Sequence, residues 1–259
     1  MPTTPPGARR VDDPAELAEF FSDVPGAHIY ALADLEAPFW EPSLWFRRED
    51  AVVGLVRLPD SEAVTVYAVA TRDPEATLEL VAAVVPELPA GTLLTAPLGL
   101  GDAIRRTRKV VWEAPHVRYV LDGPGADATD VAVEPLGPDH VGDLLDLYAT
   151  EPGAAFFLPH MVDDETFVGA YDSGRLVAAA GTHVLSTTHG CAAIGGVYTR
   201  PAHRGRGLGG AVTAGVVRRI GDRVPIVGLN VAETNAAARS IYERLGFTSI
   251  HRYAEAEVR

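Results

Sequence analysis

The sequence contains one cysteine, Cys191, among 259 residues. A single cysteine cannot form a disulfide within the chain, and it cannot supply the several thiolates of a cysteine-based metal site. We therefore interpret Cys191 as a small apolar residue of the core, and we predict no metal centre.

Long apolar runs are also absent. The longest stretches, such as Val64 to Ala70, fall far short of the roughly 20 residues that span a bilayer. Arg9 and Arg10, near the first residue, are not followed by the apolar segment that a secretory signal requires. We therefore predict a cytoplasmic protein without a membrane segment.

Positive charge is scarce, because 22 lysines and arginines stand against 35 acidic residues and leave a net charge of −13. Nucleic acids and anionic membranes bind cationic surfaces, so neither is an expected partner. The hydrophobic share of 47% and the charged share of 22% are typical of ordered globular proteins.

Small and chain-breaking residues divide the sequence near its midpoint. They fill residues 123–130, which we interpret as a linker between domains of residues 1–122 and 131–259. In both halves, apolar β-branched runs alternate with amphipathic segments, which predicts an α/β fold. The second half is predicted to begin with a strand at Val131–Glu134 and to contain a helix at Leu208–Ile220.

Each half is predicted to have the same order of elements, strand–strand–strand–helix–strand–helix–strand. Duplication of one domain explains this repeated order, and the alternative is that α/β sequences share such orders by chance. The residues of the two halves barely match, so the repeat is one of pattern.

A glycine-rich segment, Arg204–Gly209, follows a predicted strand that ends at Thr199 and leads into the predicted helix. Helix N-termini expose unpaired N–H groups and partial positive charge, which bind phosphate. The glycines permit close backbone approach, and the two arginines add cationic donors. The spacing differs from the dinucleotide G-x-G-x-x-G, and the G-K-[ST] of a nucleotide-kinase loop is missing. A turn without chemical importance remains the alternative.

Two segments carry a resemblance to a known family. Arg204–Gly209 resembles the R/Q-x-x-G-x-G/A acyl-CoA motif of the GNAT N-acetyltransferases, and Asn235–Phe247 resembles their N-x-x-A-x-x-x-Y-x-x-x-G-F motif. The resemblance covers about residues 131–259. In the first half, Thr71–Glu75 stands at the equivalent place without a glycine, as in a degenerate copy. The resemblance implies two GNAT-like domains, each a twisted, mixed, mainly antiparallel sheet flanked by helices.

The resemblance also implies acetyl-CoA as the co-substrate. The pantetheine arm is expected to pair with the strand before the loop, where a backbone N–H near Val197 would polarise the thioester carbonyl. The residues expected to bind the co-substrate are Val197, Tyr198, Thr199, Arg204, Gly205, Arg206, Gly207, Leu208, Gly209 and Asn235. Asn235 is also a suitable helix N-cap.

Two catalytic groups are predicted. Tyr242 resembles the family tyrosine that donates a proton or a hydrogen bond to the departing thiolate, and plain packing of its helix is the alternative. The strand before the loop offers no carboxylate as a base, so His183 is the first candidate, because its ordinary pKa suits the task. Glu233 is the second candidate, and a water relay is the third.

The acceptor is expected to be a small-molecule amine, acylated directly in a ternary complex. Residues 151–161, which contain two phenylalanines and a methionine, are read equally well as pocket or as core. A non-catalytic acyl-CoA-binding module and a tandem enzyme similar to mycothiol synthase are the alternative functions. The chain is expected to be a monomer or a homodimer.

Overall fold

The computed structural model describes residues 3–58, 63–121, 123 and 131–259. The chain forms two compact units. The first comprises Met1–Arg118, Ala232–Thr234 and Ile250–Arg259, and the second comprises Tyr119–Val231 and Asn235–Ser249.

Strands and helices alternate along the chain. The strands are β1 (Arg9–Val11), β2 (Leu44–Arg48), β3 (Ala51–Arg57), β4 (Val64–Tyr67), β5 (Thr92–Ala96), β6 (Val110–Leu121), β7 (Glu134–Pro135), β8 (Val168–Asp172), β9 (Arg175–Ser186), β10 (Cys191–Thr199), β11 (Ile226–Ala232) and β12 (Phe247–Val258). The helices are α1 (Pro14–Phe21), α2 (Ile29–Ala33), α3 (Pro74–Val84), α4 (Leu100–Ile104), α5 (Val141–Tyr148), α6 (Leu208–Ile220) and α7 (Ala236–Arg244). None of the helices in the described part of the chain is long and apolar enough to cross a membrane.

The sheet of the second unit has the strand order β11-β10-β9-β8-β7. Its pairs are antiparallel except β10 with β11, which run parallel. The parallel register extends from Cys191 opposite Ile226 to Ile194 opposite Leu229. Strand β10 continues to Thr199 beyond the last paired residue, so a gap opens between the two strands at their C-terminal ends.

The sheet of the first unit repeats this order of pairings. Strands β1 to β4 pair antiparallel in sequence, and β4 pairs parallel with β5. Each unit is thus a mixed, mainly antiparallel sheet with flanking helices, which confirms the predicted fold class.

The division between the units differs from the predicted boundary at the end of the chain. Within the first unit, β12 pairs antiparallel with β5, from Ala254 opposite Ala96 to Val258 opposite Thr92. The last ten residues therefore complete the first sheet, although the sequence places them in the second half. Of the predicted linker, only Gly123 lies among the described residues.

Helix α6 is bounded by glycines at both ends. Gly207 precedes it with φ of 78°, and Gly221 follows it with φ of 52°. Small residues on its inner face allow it to pack closely on β9 and β10, and a Cβ on Gly215 would lie 3.0 Å from Val168. This packing holds the N-terminus of α6 beside the C-terminal end of β10.

Candidate active site

A cleft of about 880 Å³ lies in the second unit. Its walls are the end of β10, the glycine-rich loop, the first turn of α6 and one face of α7. The lining includes Val197, Tyr198, Thr199, Arg204, Gly205, Gly207, Leu208, Gly209, Asn235 and Tyr242. Among the described residues predicted for the site, Arg206, His183 and Glu233 are not part of this lining.

The loop presents backbone N–H groups to the cleft. Gly205 and Gly207 have φ of 77° and 78°, a left-handed conformation that glycine adopts without strain. No side chain caps the N-terminus of α6, so the N–H groups of its first turn remain available for an anion. A Cβ on Gly209 would make only ordinary contacts with the side chains of Ile241 and Thr199, at 3.6 and 3.9 Å, so space alone does not require glycine at this position.

Both arginines of the loop are ion-paired with acidic residues. Arg204 pairs with Glu151, and its Nε donates to the carbonyl of Thr199 at 3.1 Å. Arg206 pairs with Asp172 at 3.2 Å. A hydrogen bond from Tyr198, followed by Arg204, holds the pKa of Glu151 below its usual value. Both guanidinium groups of the loop therefore already have a carboxylate partner in this structure.

Strand β10 contains a β-bulge beside the cleft. Its register with β9 shifts between Gly195 and Tyr198, and Gly196 has φ of 60°. The Tyr148 hydroxyl donates to the Gly196 carbonyl at 2.7 Å. The bulge fixes the backbone at Val197, where the strand borders the cleft. This role of Tyr148 is not predicted from the sequence, although two adjacent glycines inside a strand are a signal of a bulge.

Tyr242 lies on α7 with its ring buried and its side chain at the cleft wall. Burial raises the pKa of its hydroxyl to about 12, so the group keeps its proton at neutral pH. The hydroxyl forms no hydrogen bond with the residues that the structure describes. It is therefore available to donate to a group bound in the cleft.

His183 lies on β9 against Gly195, where a Cβ would come within 2.2 Å of its ring. Its Nε2 lies 3.1 Å from the carbonyl of Phe156, and because a carbonyl only accepts, Nε2 carries the proton. Burial lowers the pKa of His183 to about 4, so the ring is neutral at pH 7 and a weak base. Its predicted role as general base is therefore poorly supported by this environment.

The second candidate base, Glu233, belongs to the first unit and forms an ion pair with Arg252 at 2.7 Å. Cys191 begins β10 and is fully buried, in agreement with the apolar role predicted for it.

Asn235 caps α7, because its Oδ1 accepts from the Ala238 N–H at 3.1 Å. Residues 151–161 were expected to form either core or an acceptor pocket, and the structure divides them between buried and exposed positions. Phe157 and Met161 pack in the core of the second unit, whereas Phe156 is 47% exposed. Only part of this segment is therefore open to an acceptor.

Residues 167–255 match the family model described as FR47-like protein. Three solved structures share the fold over nearly their whole length. A Drosophila protein has a TM-score of 0.72 at 16% identity, with 98% of both chains covered. A GCN5-related N-acetyltransferase from Sphaerobacter thermophilus has a TM-score of 0.58 at 18% identity, with 99% of this chain and 97% of that chain covered.

The third structure is a tandem GNAT protein from the clavulanic acid biosynthesis pathway. Its TM-score is 0.58 at 14% identity, and the match covers 96% of this chain and 97% of that chain. No curated protein matches the sequence significantly. At these identities, the likeness shows that the chain has the fold of GNAT acetyltransferases.

Proposed function

We propose that this chain is a GNAT-type acyltransferase that moves an acetyl group from acetyl-CoA to the amine nitrogen of a small molecule. The observation that carries the proposal is the cleft of the second unit. There, the end of β10 beyond its pairing with β11, an uncapped helix N-terminus with a glycine-rich loop, and the side chain of Tyr242 border one space.

The residues of the cleft fit an acyl-CoA. The loop Gly205–Gly209 supplies backbone N–H groups for the pyrophosphate, and Arg204 supplies a guanidinium after it leaves Glu151. The exposed edge of β10 at Val197 and Thr199 would bind the amide groups of the pantetheine arm. Acetyl-CoA supplies an activated thioester, and no further cofactor is needed for acyl transfer.

The chain then has two tasks in the reaction. The N–H at the β10 bulge stabilises charge that develops on the carbonyl oxygen, and Tyr242 donates a hydrogen bond to the departing sulfur. The new N–C bond forms as the C–S bond breaks, and the proton lost by the amine ends on the thiol. His183 is neutral at pH 7 with a weakly basic ring, so we propose that the amine enters deprotonated or loses its proton to water.

The described residues of the first unit contain no equivalent glycine-rich loop. In the corresponding turn, the guanidinium of Arg72 forms ion pairs with Asp23 and Asp50, at 2.5 and 3.2 Å. The repeated pairing order of the two sheets supports the proposal that this unit is a degenerate GNAT-like copy. We therefore expect one acyl-CoA site per chain.

The lack of a carboxylate on β10 favours a second candidate, a non-catalytic acyl-CoA-binding module. Calorimetry with CoA, followed by release of free thiol from acetyl-CoA with a panel of amines, separates the two. Binding with amine-dependent thiol release supports the enzyme, and binding without release under any amine supports the module. Absence of CoA binding would contradict both.

Arg204→Ala is expected to weaken CoA binding by about 10-fold, near the lower end of a charge-assisted phosphate contact. The effect is small because Arg204 exchanges one partner, Glu151, for another. Glu151→Gln removes that competitor, and since an exposed ion pair contributes about 0.2–1 kcal/mol, CoA should bind roughly 1.4- to 5-fold more tightly. Calorimetry measures both, and equal affinity in all three proteins would remove Arg204 from the site.

The pH dependence of turnover is expected to follow the acceptor amine. Burial lowers the pKa of His183 to about 4, so its neutral form is fully present above about pH 5 and it adds no rising limb between pH 5 and 8. The rise of turnover with pH should persist in His183→Asn, and its midpoint should move to lower pH with a less basic amine. A limb near pH 6.5 that vanishes in the variant would instead identify His183 as the base.

A further inference from the structure

Arg118, on β6 in the first unit, is a buried arginine without a counter-charge. It is 1% exposed, and its Nε and Nη1 are buried with no hydrogen-bond partner. No ion pair joins it to a carboxylate in the described part of the chain. Buried polar groups are normally paired, and an uncompensated buried charge is strongly unfavourable. This arrangement therefore requires an explanation.

The contacts of Arg118 are aromatic. Its guanidinium lies 5.0 Å from the ring centre of Tyr30 and 5.7 Å from that of Tyr253. Ring faces stabilise the positive charge, but they offer no lone pair in the plane of the N–H groups. His251, whose pKa Arg118 helps to lower, has an Nε2 that is also buried without a partner. Two elements of this unit thus present unpaired polar atoms near one another.

The titratable groups around Arg118 include Glu255, His28 and Asp34. The carboxylate of Glu255 accepts a hydrogen bond from the Tyr253 hydroxyl at 3.1 Å and lies 3.4 Å from Nε2 of His116, and no ion pair joins it to Arg118 among the described residues. Burial, followed by Arg118, lowers the pKa of His28 to about 3, so this ring is neutral at pH 7. Burial also raises the pKa of Asp34 to about 8, so this carboxyl retains its proton and does not balance Arg118. The guanidinium thus has two unpaired N–H groups and no carboxylate bonded to it, and the carboxylate of a ligand would accept from both.

We propose that Arg118 anchors a binding site in the first unit for a small organic carboxylate. The planar guanidinium matches the geometry of a carboxylate, and the rings of Tyr30 and Tyr253 provide walls for an apolar body. Tyr30 is half-buried as a whole residue. The proposal does not depend on acyl transfer.

The test uses the full chain without CoA, titrated with acetate, benzoate and phenylacetate at constant ionic strength. Benzamide and phenylacetamide are the uncharged counterparts of the last two. Calorimetry should show saturable binding of at least one carboxylate. Its uncharged counterpart should bind about 10-fold or more weakly, as expected for a hydrogen bond to a charged group. Saturation should raise the melting temperature by a few degrees.

Arg118→Met removes the charge and keeps an apolar side chain of similar length. The variant should lose carboxylate binding by about 10-fold or more and melt at the same temperature as the ligand-free wild type or higher, because an unpaired buried charge has been removed. Arg252→Met, an exposed arginine on β12 of the same unit, is the matched control and should bind as wild type does.

Three results would overturn the proposal. They are no binding of any of the carboxylates by the wild type, equal binding of the amides, and equal binding by Arg118→Met. If Arg118→Met does not fold, the comparison of carboxylate and amide on the wild type still decides, because it needs no variant.

Discussion

Tyr242→Phe is expected to lower kcat for acyl transfer by about 10²–10³-fold while the KM for acyl-CoA changes by about 2-fold or less. The variant removes one oxygen and keeps the ring contacts with Phe247 and Tyr119, whose centroids lie 6.2 and 6.5 Å away. A hydrogen bond to the departing sulfur gains strength as the sulfur becomes negative. Its loss therefore appears mainly in the transition state.

The raised pKa of Tyr242 decides which of the two predicted actions it performs. Burial brings the pKa of this hydroxyl to about 12, whereas an ordinary thiol titrates near about 8.5. Full transfer of the proton from the hydroxyl to the thiolate is thus unfavourable. Donation of a hydrogen bond carries no such cost, so the expected effect is that of one lost donor to developing charge.

Tyr171→Phe is the matched control for Tyr242. Its hydroxyl lies in the same unit and donates to Asp143 at 2.9 Å, and it is not part of the cleft lining described above. Turnover should remain within about 2-fold of wild type in this variant. Equal turnover of Tyr242→Phe and wild type, with an unchanged melting temperature, would mean that Tyr242 only packs.

Single helices and strands were predictable from the sequence where glycines mark their ends. Leu208–Ile220 was predicted as a helix and is one, because glycines 207 and 221 end the helical backbone on either side. The strand predicted at Val131–Glu134 was wrong, since β7 occupies only Glu134–Pro135. A strand of two residues pairs only with its neighbour and leaves no alternating pattern long enough to read.

The sequence alone does not show which strands pair when they lie far apart along the chain. The apolar pattern of β12 predicts a strand, but the same pattern fits an edge beside β11 or beside β5. The structure completes the first sheet with it. Linker composition is a signal of flexibility and gives no information on strand partners, so it does not show which sheet the last residues join.

The candidate site was predictable in its backbone and less so in its charges. The motif at 204–209 locates the loop because glycine has a conformational reason to be there. The ion pairs of Arg204 with Glu151 and of Arg206 with Asp172 join residues far apart in sequence. The low pKa of His183 follows from its burial, and the residue type alone does not show that a side chain is buried.

The β10 bulge leads to the second large effect, in Gly196→Ala. A Cβ at this position would stand 2.8 Å from the Tyr148 hydroxyl, closer than real Cβ contacts, and φ of 60° strains any residue other than glycine by about 1–2 kcal/mol. Relief requires a shift of the strand or of Tyr148. A shift of the strand moves the backbone at Val197, where the thioester carbonyl is expected to be bound. A shift of Tyr148 breaks its hydrogen bond to the Gly196 carbonyl and so removes the contact that holds the bulge.

A displacement of about 1 Å in a group that orients a reacting atom lowers rates by about 10²-fold, so kcat of Gly196→Ala should fall by about that factor. CoA affinity should stay within about 3-fold of wild type, because the loop at 204–209, which we propose to bind the phosphates, lies beyond the bulge. Steady-state kinetics and calorimetry with CoA measure the two effects separately.

The control is Gly142→Ala, on the same helix α5 that carries Tyr148. A Cβ there meets no atom within 4 Å, and alanine favours the helix, so this variant should be more stable by about 0.4–1 kcal/mol and fully active. Tyr148→Phe removes the hydrogen bond to Gly196 without adding a methyl group, and it should show a smaller loss of kcat in the same direction. If Gly196→Ala folds, binds CoA and turns over as wild type does, the bulge does not position the acyl group, and the N–H that polarises the carbonyl must lie elsewhere in the cleft.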